Sequence, residues 1–199
     1  MADPTLFVIA GCNGSGKSSF SRLLVPVEIT PFDYDHHYLQ FYSSLRDSDI
    51  RETMAHNMAF AELEEQVQLA MTMQRSFCYE NNFNSTPLFW PAQFKKKGYK
   101  LHLIYLSLNS IDEAIRRVAI RVENGGHFVP EDEIRKRYAD GFANLNANFT
   151  YFDMVDLFDS SLYGQEPTHV LSIYNGKLEE KNVFPSYLSA LLPAVAKLL

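Results

Sequence analysis

The chain is 199 residues long, enough for one domain with a buried core. Hydrophobic residues make up 46% and charged residues 21%, which excludes disorder over most of the length. The formal net charge of −6 argues against a broad nucleic-acid surface, because such a surface is built from clustered basic residues.

Its two cysteines, Cys12 and Cys78, provide neither a disulfide framework nor a CxxC zinc site. Met1–Thr5 lacks the basic and apolar segments of a secretory signal. Apolar stretches such as Leu101–Leu108 are too short to span a bilayer. These features predict a cytoplasmic protein without membrane or nucleic-acid partners.

In chain order, Leu6–Ala10 is wholly apolar and predicts a strand buried on both faces. Gly11–Lys17 is a glycine-rich turn, and Ser18–Leu24 begins a helix. Glu28–Asp33 is a second short strand candidate. Ile50–Gln74 carries a helical stripe of Met54, Met58, Leu63, Val67 and Met71. Ser76–Phe83 reads as a strand, followed by a helix starting near Pro87. Lys100–Leu108 suits a central strand. Ser110–Glu123 reads as a helix, with Ser110 and Glu113 in capping-box spacing and Asn124–Gly125–Gly126 as its stop. Residues 130–146 form another helix, Met154–Phe158 and His169–Tyr174 late strands, and Pro185–Leu198 a terminal helix. The alternation predicts a single α/β domain over residues 1–199, with a mainly parallel sheet flanked by helices.

Gly11–Cys12–Asn13–Gly14–Ser15–Gly16–Lys17–Ser18 matches GxxxxGK[ST] in full. The glycines let successive backbone N–H groups turn inward toward phosphate oxygens. Lys17 is placed to reach the β- and γ-phosphates, and the Ser18 hydroxyl to bind Mg²⁺, with Ser19 beginning the following turn. Cys12 reads as a small packing residue. The loop predicts a P-loop fold that binds a nucleoside triphosphate, ATP or GTP. No NKxD motif marks a GTPase, and no apolar run ending in Asp-Glu marks a mechanical ATPase. A small phosphotransferase is the reading that remains.

Such an enzyme needs a carboxylate near the acceptor hydroxyl. Asp33 and Asp35 follow the second strand candidate, at the end of a parallel sheet where ligands bind. Asp35 is the first choice for the base, with Asp33 a substrate contact; a solvated acidic turn is the alternative. Glu80 closes an otherwise apolar strand, where a carboxylate is costly unless hydrogen-bonded or in use. It suits acceptor hydroxyls, ordering of the magnesium shell, or pairing with a neighbouring helix. Asn82 and Asn84 add polar groups beside it.

Arg116, Arg117 and Arg121 share one predicted helix, and Arg135, Lys136 and Arg137 the next. Arginines closing over a transferring phosphoryl group stabilise its spreading charge. A helix–Gly-Gly–helix unit over about 110–148 would form a mobile lid, with His127 near its hinge. The alternative is a pair of solvated faces paired with Glu113, Glu123, Glu131 and Glu133.

Several of these motifs fall in one order. They are GCNGSGKSS at 11–19, FDYD at 32–35, FCYENNFNS at 77–85 and KKGYKLHLIYLSL at 96–108. AIRRVAIRVENGGHFVPEDEIRKRY at 114–138 and LFDSS at 157–161 follow. In this order the chain resembles the zeta-toxin family of P-loop kinases, in particular its small single-domain bacterial members. The resemblance implies a kinase-like P-loop fold and ATP- or GTP-dependent phosphorylation of a small-molecule hydroxyl, in some members that of UDP-N-acetylglucosamine. By position it implies Lys17 and Ser18 on phosphate and Mg²⁺, Asp35 as base, Glu80 at the acidic acceptor position, and Arg121 and Arg137 from the lid. Arg117 and Arg135 compete for that lid role. Asn81–Asn82 stand where the family more often has threonines, which leaves the acceptor open. Another metabolite, nucleoside or antibiotic is an alternative acceptor, and a non-catalytic nucleotide-binding regulator is an alternative function. An antitoxin protein is the partner that the resemblance suggests.

Overall fold

The structure is a computed structural model that describes residues 3–126 and 128–199. Its strands are β1 (Thr5–Ala10), β2 (Phe77–Asn81), β3 (Lys100–Ser107), β4 (Met154–Asp159), β5 (Thr168–Tyr174) and β6 (Lys177–Lys181). They form a six-stranded sheet in the order β2-β1-β3-β4-β5-β6. The pairs from β2 to β4 are parallel, and β5 and β6 return antiparallel. The fold is α/β with a mostly parallel sheet.

The two-residue period of β1 divides its side chains between two apolar layers. Leu6, Val8 and Ala10 join a large core with Leu103, Tyr105, Val67, Phe94, Val118 and Phe142. Phe7 and Ile9 face a smaller one with Val25, Cys78, Ile104 and Leu106. The helices are α1 (Lys17–Phe20), α2 (Tyr34–Ser44), α3 (Arg51–Met73), α4 (Phe89–Lys96), α5 (Ile111–Glu123), α6 (Glu131–Asn148), α7 (Ser186–Leu191) and α8 (Pro193–Ala196). No helix of the described residues is long and apolar enough to cross a membrane.

Four local expectations change. The strand expected over Glu28–Asp33 reduces to one parallel bridge, Phe32 to Tyr79. Pro26 and Pro31 lack the N–H that a ladder needs, so only Phe32 pairs, with Cys78 O and Glu80 N. The helix expected over Ser18–Leu24 is α1 followed by a 3-10 turn at Ser21–Leu23. On α3 the buried stripe is Ala55, Ala59, Leu63, Val67, Ala70 and Met71, while Met54 and Met58 are half-exposed. Small alanines let α3 lie close to α2, where Tyr38, Ala55 and Ala59 form a separate cluster. The terminal helix breaks at Leu192, where the chain leaves helical angles before Pro193.

Candidate active site

The phosphate loop joins β1 to α1. Gly11 sits at φ +145°, and a Cβ there would lie 2.4 Å from the Leu106 carbonyl, so the turn requires glycine. Partners from distant segments fix its outer side. Ser160 Oγ donates to Ser15 O at 2.7 Å and to Ser107 O at 2.9 Å. Arg117 Nη1 reaches Gly14 O at 3.4 Å, and Arg137 Nη1 donates to Asn13 Oδ1 at 3.1 Å. Cys12 is buried and its thiol is pushed up to about 11 by that burial, which makes it a packing residue at neutral pH.

Lys17 Nζ turns back into the loop. It donates to Gly11 O at 2.7 Å, Cys12 O at 3.2 Å and Asn82 Oδ1 at 3.0 Å. Burial lowers its pKa, and the nearby Glu80 carboxylate is the largest opposing influence. Ser18 Oγ donates to Glu80 Oε2 at 2.9 Å. Glu80 is held up at about 7, first by burial and then by Asp33. Lys17 and hydrogen bonds from Ser18 and Ser21 pull the other way. The structure thus puts Glu80 on the P-loop serine.

Asp33 and Asp35 do not alternate along a strand, because the chain enters a helix there. Asp33 is the N-cap of α2, accepting from His36 N at 3.2 Å, and Asp35 lies in the first turn. Asp35 Oδ2 lies 3.7 Å from Arg121 Nη1, with the aspartate side chain 44% exposed. Lys17, Ser18, Asp33, Asp35, Glu80, Asn82 and Arg121 all line one cleft of about 910 Å³, together with Gly14, Gly16 and Ser19. Arg137 is not among its lining residues and meets the loop through Asn13.

The basic helices divide by role. Ser110 Oγ caps α5 by accepting from Glu113 N at 3.2 Å. The Glu113 carboxylate does not return to complete a capping box. Arg116 and Arg117 take it instead, and hydrogen bonding from Arg116 leads in holding it down at about 2. Arg117 is nearly buried and also donates to Ser161 O at 2.9 Å, so it ties α5 to the loop. Arg135 is half-exposed beside Asp112 and Glu131.

The helices of the expected lid are part of the main core through Ala114, Val118, Ile134, Tyr138, Phe142 and Leu145. Gly125 and Gly126 end α5 with Gly125 N on Val122 O, Gly126 N on Arg121 O, and Gly125 at φ +84°. This is a Schellman cap, a hydrogen-bonded stop. His127 lies outside the described residues.

Ser160, and the aromatic lining of Phe60, Phe89 and Trp90, were not singled out in the sequence. Ser160 had a signal in the LFDSS segment; the aromatics are scattered over two helices and had none.

The Zeta toxin family model matches residues 1–162. The chain belongs to the Zeta toxin family. An uncharacterized protein of Haemophilus influenzae is 29% identical over 135 residues, covering 64% of this chain and 88% of that one. Among solved structures, the PezAT toxin–antitoxin system of Streptococcus pneumoniae aligns with a TM-score of 0.62 at 16% identity. That match covers 96% of this chain and 78% of the other. The AvrRxo1-ORF1:AvrRxo1-ORF2 complex with sulphate ions aligns with a TM-score of 0.66 at 14% identity over 89% of this chain. The same complex with ATP gives 0.62 at 15% identity. This chain spans 61% of the AvrRxo1 chain's length. At these identities the structural likeness concerns the fold.

Proposed function

We propose that this Zeta toxin family protein is a P-loop phosphotransferase that moves the γ-phosphoryl group of ATP or GTP to a hydroxyl of a small molecule. The observation that carries this reading is the meeting, in one cleft, of Lys17 and Ser18 with the carboxylate of Asp35 and the guanidinium of Arg121. The nucleotide phosphates would lie along the inward N–H groups of Gly11–Ser18, and Lys17 would exchange its loop carbonyls for phosphate oxygens.

The Ser18 hydroxyl and the Glu80 carboxylate, 2.9 Å apart, form a donor set suited to Mg²⁺, which binds through one or two protein oxygens plus phosphate oxygens. Bound there, Mg²⁺ would neutralise charge on the β- and γ-phosphates. This assigns Glu80 to the metal side, with Asp33 and Asn82 left nearer the acceptor.

Asp35 would accept the acceptor's proton as its oxygen bonds to the γ-phosphorus. The bond from that phosphorus to the β,γ-bridging oxygen breaks, and a nucleoside diphosphate leaves. Arg121 flanks the site, and Arg137 braces the loop at Asn13; both would offset charge on the equatorial oxygens. The toxin–antitoxin setting of the PezAT relative supports an antitoxin protein as a candidate partner.

The test is a screen for transfer of labelled γ-phosphate from Mg·ATP and Mg·GTP to sugar nucleotides, nucleosides and other metabolites, with Lys17→Ala as control. Transfer by the native chain and a loss of about a thousandfold or more in Lys17→Ala is the expected result. Failure of the folded chain to bind either nucleotide by calorimetry would remove the reading.

A further inference from the structure

The cleft is uneven in charge. Its cations, Lys17, Arg117 and Arg121, come from the phosphate loop and α5. The lining supplied by α2, α3, β2 and α4 includes no lysine or arginine and contributes Asp33, Asp35 and Glu80. A phosphate group on the acceptor would therefore sit among carboxylates, without the arginine fork that phosphate recognition uses. Arg117 is already committed to Glu113, Gly14 O and Ser161 O.

The same side is uneven in apolar character. Phe60 of α3 is 43% exposed and Phe89 of α4 is 52% exposed, although both line the cleft. Trp90 lies between them, 6.5 Å from Phe60 at 34° and 4.8 Å from Phe89 at 72°. Half-exposed rings grouped inside a cleft mark a surface that a ligand covers. Rings favour a flat partner, because stacking on a heterocycle recovers more contact than an aliphatic chain would. Asn84 and Thr86 line the same stretch and offer donors and acceptors for a polar edge.

We infer that the acceptor is an uncharged nucleoside-type molecule: a hydroxyl-bearing sugar joined to a flat heterocycle, with no phosphate of its own. The heterocycle lies against Phe60, Phe89 and Trp90, and the hydroxyl faces Asp35. This inference rests on the phosphotransferase reading above and narrows its acceptor.

Trp90 is the sole tryptophan of the chain, so intrinsic fluorescence reports on this wall directly. The full chain is first titrated by calorimetry with Mg²⁺ and a non-hydrolysable ATP analogue. At saturation, which blocks the nucleotide site, adenosine, guanosine, uridine, cytidine, ribose and UDP-N-acetylglucosamine are then titrated separately. The expected result is a saturable change in Trp90 fluorescence with at least one nucleoside, about tenfold tighter than with ribose or the sugar nucleotide. Phe60→Ala should weaken that nucleoside about tenfold and leave the ATP analogue unchanged. Binding of UDP-N-acetylglucosamine as tight as that of any nucleoside would overturn the inference and leave the phosphotransferase standing. So would the absence of nucleoside binding, or an unchanged affinity in Phe60→Ala. Failure of the ATP analogue to bind in the first titration would instead strike the phosphotransferase reading, and this inference with it.

Discussion

At the phosphate end of the cleft, distant segments converge on the phosphate loop: Ser160 on Ser15 O, Arg117 on Gly14 O, and Arg137 on the Asn13 side chain. At the acceptor end, the residues are side chains on separate helices, partly exposed, such as Asp35, Phe60 and Phe89. The first end is a backbone shape clamped from behind, and it suits any nucleoside triphosphate. The second is a set of side chains that can be exchanged one at a time without disturbing the fold. A conserved chemistry with a changeable acceptor follows naturally from that division.

The division can be broken first at the arginines. Arg121→Ala should slow phosphoryl transfer about a hundredfold, and Arg137→Ala by a similar factor, with nucleotide affinity changing much less. Transfer rates and calorimetric affinities, measured on the same variants, decide it. If affinity and rate fell in proportion, these arginines would be ground-state binders; if neither moved, they would be ordinary surface charges.

Arg117 sharpens the comparison from the other side. It belongs to the clamp, so Arg117→Ala should cost stability, about 3 kcal/mol in urea unfolding, by leaving the Gly14 and Ser161 carbonyls and part of Glu113 without their partner. A loss under about 0.5 kcal/mol would place Arg117 with the exposed Arg116.

The smallest expected effect tests Glu80, at the junction of the two ends. Its pKa is raised from 4.5 to about 7, so the folded chain keeps this proton longer than the unfolded chain does. Stability from this group therefore falls as pH rises from about 4.5 to about 7, and the cost is complete above 7. Unfolding of wild type and Glu80→Gln in EDTA at pH 5 and pH 8 should show the variant gaining about 1–2 kcal/mol relative to wild type between the two. A pH-independent difference would contradict a buried, charge-crowded Glu80.

The contrast between the two ends also governs what could be read from the sequence. The strand–loop–helix of residues 5–20 was legible because its glycines encode backbone angles directly. The β5–β6 hairpin had the same kind of signal in Asn175–Gly176, both at positive φ, yet charged β6 lacks the apolar alternation by which strands were sought. Asp33 as a cap and Glu80 on Ser18 were not legible as such, because both depend on where α2 and β2 meet the loop. The acceptor wall was least legible of all. Phe60 and Trp90 are far apart in the chain and meet only through the packing of α3 and α4 against the sheet.

The division of labour between the two ends is tested most directly by Asp35→Asn, in which a carboxylate is lost and nearly all else is kept. Transfer of labelled γ-phosphate and calorimetric binding of Mg·ATP should be measured on one preparation of the variant beside wild type. Transfer should fall by about a hundredfold or more while nucleotide affinity stays within about threefold. Near-normal transfer by Asp35→Asn would contradict its role at the acceptor hydroxyl and pass that role to Asp33.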